Sequence, residues 1–131
     1  MTFVASIKEF WLKYATFRGR TSRRTYWWSI LFMALATILL ERIFPGTTII
    51  STNAIGHTQS YIINSVPVNI WLIAGAIPTF AVGARRLHDS GKSGGRLCWL
   101  LLPLIGPLLL LVWLTQPSDP NASRYGETPT K

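Results

Sequence analysis

Arg85-Arg86-Leu87-His88-Asp89-Ser90-Gly91-Lys92-Ser93-Gly94-Gly95-Arg96 is a polar stretch held between two runs, 66–84 and 97–115, that contain no charged residue. A helix rises 1.5 Å per residue, so about 20 residues cross the roughly 30 Å hydrocarbon core of a bilayer. Each flanking run is long enough to do so. The stretch between them therefore belongs at a membrane surface. It carries Arg85, Arg86, Lys92 and Arg96, one of the two histidines and one of the five acidic residues.

Upstream, residues 25–44 form a third apolar run whose only charges, Glu41 and Arg42, sit at its far end. Gly19 interrupts what precedes it, and Ser22 is placed to cap the new helix. Tyr26, Trp27 and Trp28 make an aromatic belt at its entry. The run begins too far from Met1 for a cleaved signal peptide. Pro45 and Gly46 end it. Residues 45–65 are rich in Thr, Ser, Asn and Ile, with at most a short extended piece at 48–51.

In the run 66–84, Gly75, Thr79 and Gly83 recur every fourth residue on one helix face. Small residues at this spacing let helix backbones approach closely in lipid, against a neighbour in the same chain or a second copy. The run 97–115 contains Pro103, Gly106 and Pro107 at its middle. It is either one kinked span, since neighbouring helices can satisfy the freed backbone groups, or a re-entrant hairpin of two half-helices. The kinked span is the reading adopted here. It sends the tail, 116–131, across the membrane.

Residues 2–17 carry Phe3, Ile7, Phe10, Trp11, Tyr14 and Phe17 at helical spacing, with Lys8, Glu9 and Lys13 elsewhere. Glu9 stands four residues before Lys13, a favourable pair. Aromatic groups on one side and lysines on the other suit a helix lying in the interface; a core-facing bundle helix is the alternative. The whole is thus expected to be all-α: one domain, 1–131, a small polytopic membrane bundle with an interfacial, amphipathic N-terminal helix.

Composition agrees. Apolar residues make up 49% and charged residues 14%, below the roughly 25% charged of soluble domains. The formal charge of +8 would point to nucleic acid in a soluble chain. Here the cations cluster beside apolar runs, so the expected partner is anionic lipid, not nucleic acid. Lys8, Lys13, Arg18, Arg20, Arg23 and Arg24 precede the first run, four more follow the second, and 45–65 hold none. Both basic regions, and with them the N-terminus, belong on the cytoplasmic side.

No catalytic residue, cofactor or metal is expected. Ser90-Gly91-Lys92-Ser93 resembles part of a phosphate loop, but the required earlier glycine is Arg86. His88 and Asp89 are neighbours and point apart on a helix, and His57 falls across the membrane. The single cysteine, Cys98, cannot form an internal disulfide and is expected to be a small buried hydrophobe.

Phe17-Arg18-Gly19-Arg20-Thr21-Ser22-Arg23-Arg24-Thr25-Tyr26-Trp27-Trp28, Arg85 to Gly94 and Arg124-Tyr125-Gly126 with Pro129 together resemble a bacterial family, domain of unknown function 805. Where that family carries tryptophan after Ser-Gly, this chain has Gly95 and Arg96. The resemblance implies a small multi-helix protein of the inner (plasma) membrane without an assigned activity. The reading is a non-enzymatic module that binds anionic headgroups, or another membrane protein, through Arg18, Arg20, Arg23, Arg85, Arg86, His88, Asp89 and Lys92. Two rivals stand beside it. One is a small transport or export component, favoured by the broken helices and opposed by the lack of midplane charge. The other is a lipid-modifying enzyme using His88 and Asp89.

Overall fold

A computed structural model describes residues 2–127 and 129, so the expected domain's Met1, Thr128, Thr130 and Lys131 lie outside the described residues. The order is α1 (Phe3–Leu12), α2 (Arg23–Ile43), β1 (Thr47–Thr52), β2 (Thr58–Ile63), α3 (Val66–Asp89), a 3-10 helix (Gly94–Leu101), α4 (Ile105–Thr115) and a 3-10 turn (Ala122–Tyr125). The protein is mostly helical. Among the described residues, α2 and α3 are long and apolar enough to cross a membrane.

The chain forms two compact units, Met1–Phe32 with Ala76–Lys131, and Met33–Gly75. In the second unit the end of α2 meets the start of α3. Trp71 Nε1 donates to Thr37 Oγ1 at 3.1 Å, and the methyl of Met33 lies over Gly75 in the space a Cβ would need. Between them, β1 and β2 pair antiparallel with Thr47 opposite Ile63 and Thr52 opposite Thr58. This hairpin corrects the all-α expectation. Thr, Ile and Tyr favour the pleated backbone, and Asn53 Oδ1 closes the turn by accepting from the backbone N–H groups of Ile55 and His57 at 3.1 and 2.9 Å. Gly56 supplies the positive φ of 84° that this turn requires.

In the first unit, Ser22 caps α2 as expected, accepting from Thr25 N at 3.2 Å. Helix α1 is shorter than 2–17. It buries Ser6 and Phe10, sets Phe3 edge-on to Trp28 and Phe10 against Phe32, and exposes Val4 and Leu12. Glu9 and Lys13 pair at 2.8 Å. Helix α3 continues past its apolar part to Asp89. It ends where Gly91, at φ 74°, lets Lys92 N donate to Leu87 O and Gly91 N to His88 O, a left-handed glycine cap.

The run 97–115 is two pieces, not one kinked span. Leu104 takes φ 68° and ψ −60°, and Ile105 N donates to Pro103 O at 2.8 Å, the strained γ-turn. Gly106 then lets the 3-10 helix fold back, because a Cβ there would overlap the Trp99 carbonyl. At about 16 Å, α4 falls short of a roughly 30 Å core. Its end returns to the polar end of α3, which brings the tail to the central loop. Cys98 is exposed, not buried, because the 3-10 helix turns it outward beside Phe80 and Leu101.

Candidate functional site

Asp89 is the centre of the first unit. It is fully buried, as is Arg86, and Arg20 is nearly so. Arg20 reaches Asp89 Oδ1 through Nη2 at 2.9 Å and Nε at 3.0 Å. Arg86 Nη1 meets Asp89 Oδ2 at 2.5 Å, and Ser118 Oγ donates to the same oxygen at 2.5 Å. Two guanidinium groups on one carboxylate leave an excess positive charge in a dry place, which is costly unless further acceptors surround it. Main-chain carbonyls provide them. Arg20 Nη2 donates to Asp119 O at 2.8 Å, and Arg86 donates to Leu114 O at 3.0 Å and to Gln116 O. Those last two are carbonyls that the C-terminus of α4 leaves without helical partners, and they carry the negative end of its dipole. So Arg86 of α3 finishes α4.

Around this clamp, Arg85 is buried and meets Glu9 Oε1 at 3.3 Å; its Nη2 is buried without a partner among the described residues. The Arg85 carbonyl accepts from Thr21 N at 3.1 Å. His88 faces the Gly19 carbonyl through Nδ1 at 3.2 Å, and its ring lies flat on Tyr125, centroids 4.2 Å apart and planes 2° from parallel. Arg124 covers the other part of the stack, its Cζ 4.6 Å from the Tyr125 centroid. Asp119 N closes the ring of contacts by donating to Asp89 O at 2.8 Å.

Lys92 donates to Gln116 Oε1 and to Ser90 O at 3.2 Å. Partial burial pushes its ammonium below the ordinary lysine value; Arg96 adds to the depression and Asp119 opposes it. Of the stretches that resemble the family, 17–28 and 124–126 thus both touch 85–94. Residues 14–127 match the family described as protein of unknown function, DUF805. The chain belongs to the DUF805 family.

Among the relatives of this DUF805 protein are two from Escherichia coli (strain K12). Inner membrane protein YhaI is 29% identical over 116 residues, 88% of this chain and 87% of that protein. Inner membrane protein YhaH is 30% identical over 116 residues, 88% of each. No solved structure matches the chain. With two helices long enough to span and relatives so named, this DUF805 chain is an inner-membrane protein of unassigned function.

The eight residues expected to bind a headgroup or partner divide by burial. Arg20, Arg85, Arg86 and Asp89 are internal; His88 and Lys92 are half-buried, and Arg18 and Arg23 are exposed. The small residues also divide. Gly75 packs on Met33, Gly83 stands beside Leu97, and Thr79 lines an apolar cleft. Sequence reasoning missed Glu9, Ser118, Asp119 and the carbonyls at the end of α4. Asp119 joins the site through its backbone, its N–H on Asp89 O and its carbonyl under Arg20, so its side chain gives no signal of that role. The carbonyls carry no sequence signal at all.

Proposed function

We propose that this protein is a non-enzymatic module of the inner membrane that binds anionic phospholipid at its cytoplasmic face. The observation that carries the reading is the division of the arginines. Buried Arg20 and Arg86 are spent on Asp89, and Arg85 on Glu9, while Arg18, Arg23 and Arg24 stay exposed on the same unit. The internal set ties the two basic segments and the tail into one frame. The outer set presents cations at headgroup depth, where each is worth about 1 kcal/mol against an anionic leaflet.

In this reading α2 and α3 cross the bilayer and α1 packs at the interface. The 3-10 helix and α4 form a re-entrant hairpin. The tail lies on the cytoplasmic side with the N-terminus, and 45–65 lie outside. The support is the Lys/Arg asymmetry together with the hydrogen bonds that Asp89 accepts from the tail and Arg20 donates to it, since groups so bonded occupy one side of a membrane.

The test is lipid enrichment around the full-length protein extracted in nanodiscs from mixed phosphatidylglycerol and phosphatidylcholine membranes. The native protein should enrich phosphatidylglycerol severalfold, and Arg18→Gln with Arg23→Gln and Arg24→Gln should abolish the enrichment. Equal enrichment by the triple variant sinks the reading.

A further inference from the structure

Two clefts open between the start of α2 and the end of α4. One, of about 270 Å³, is lined by Ser22, Arg23, Arg24 and Ser118. The other, of about 240 Å³, is almost wholly apolar, with Tyr26, Trp27, Gly83, Leu97, Leu111 and Leu114 among its walls. Residues that line one stand close in sequence to residues that line the other. On α2, Ser22 and Arg23 stand one turn above Tyr26 and Trp27 on the same faces, a step of about 5.4 Å. On the opposite wall, Leu114 leads to Ser118 four residues on. Arg23 Nη1 meets Thr115 O at 3.5 Å between them.

We propose that the two clefts are one seat for a single anionic phospholipid, with its phosphate against Arg23 and Arg24 and one acyl chain beneath Trp27 against Gly83. This rests on the anionic-lipid reading above and narrows it to one place. Ser118 gives its proton to Asp89, so the arginines supply the donors. Guanidinium groups suit phosphate because their planar N–H fork binds two oxygens at once. Arg23 has five N–H groups and, among the described residues, places only one, at the limit of hydrogen bonding, on Thr115 O.

The apolar wall argues for a lipid over a free phosphate. A soluble anion would leave the groove below it unfilled, whereas a chain one turn deeper continues from its own headgroup. Within a bilayer, an acyl chain gains little by leaving its neighbours, which are equally apolar. The groove therefore sets position and the arginines set headgroup choice.

Full-length protein in nanodiscs, with phosphatidylglycerol carrying a photoreactive group on one acyl chain, provides the test. Phosphatidylcholine of the same chains is the counterpart. The native protein should give crosslinks at 79–83 and 110–114 with about tenfold higher yield from phosphatidylglycerol, the ratio that about 1.4 kcal/mol of headgroup preference produces. Arg23→Gln with Arg24→Gln should bring that yield down to the phosphatidylcholine level. Leu111→Trp, at an exposed wall, and Gly83→Leu should each remove these crosslinks while overall phosphatidylglycerol enrichment persists. If both groove variants keep the native crosslinks while the arginine variants lose enrichment, the seat is wrong and the basic-face reading stands. If the native protein neither enriches phosphatidylglycerol nor labels with it preferentially, both fail. Displacement by glycerol 3-phosphate as effectively as by phosphatidylglycerol would make this a phosphate site and overturn the lipid.

Discussion

Asp89 is the carboxylate that the buried guanidinium groups of Arg20 and Arg86 share. Asp89→Asn keeps the volume and removes the charge, leaving Arg20 and Arg86 to repel in a dry site. Removing one partner of a buried pair costs about 3–5 kcal/mol, so the variant should lose most of its folded yield in mild detergent by size-exclusion chromatography. A native elution profile and melting temperature would contradict this. Lys92 offers a gentler measurement. Its lowered pKa should appear as an NMR titration of the methylated amine below the ordinary lysine range, and Arg96→Gln should move it back up by removing one of the two leading causes. The helical pair Glu9–Lys13 and the Ser22 cap were both legible from spacing, since each joins residues within one turn. The pairing of Arg20 with Asp89 was not, because 69 residues separate them.

Among the elements, the 3-10 helix and α4 depend on one missing side chain. Gly106→Ala would drive a Cβ into the Trp99 carbonyl, and overpacking of this kind costs about 1–3 kcal/mol. Thermal unfolding in detergent should show the loss, and the Arg96–Trp113 contact, 4.6 Å from cation to ring centroid, should open with it. The tail is held more lightly. Stacking of Tyr125 on His88 is worth about 0.5–1.5 kcal/mol beyond the buried area, so Tyr125→Ala should speed tryptic cleavage after Arg124 severalfold while leaving α2 and α3 resistant. Unchanged cleavage would mean that Asp119 and Ser118 alone hold the tail. Helix existence at 25–44 and 66–84 was readable because long apolar runs admit few alternatives. The hairpin at 47–63 was only half readable, since Thr and Ile serve strands and loops alike.

For the molecule as a whole, the proposed topology places the central loop and tail together. Single cysteines at Ser93 and Ser123, in a background without Cys98, should both resist an impermeant thiol reagent applied from the periplasm. One at His57 should react; all three positions are exposed. A reactive Ser123 beside a protected Ser93 would restore the kinked span and remove the tail from the site. Composition and hydropathy alone determined that the chain is a membrane protein, because burying about 20 apolar residues in lipid is a local property of the chain. Only the tertiary structure decided which arginines face outward. Burial of a cation depends on where the chain brings a carboxylate and unpaired carbonyls, and here they come from Asp89 and from an α4 that turns back at Leu104.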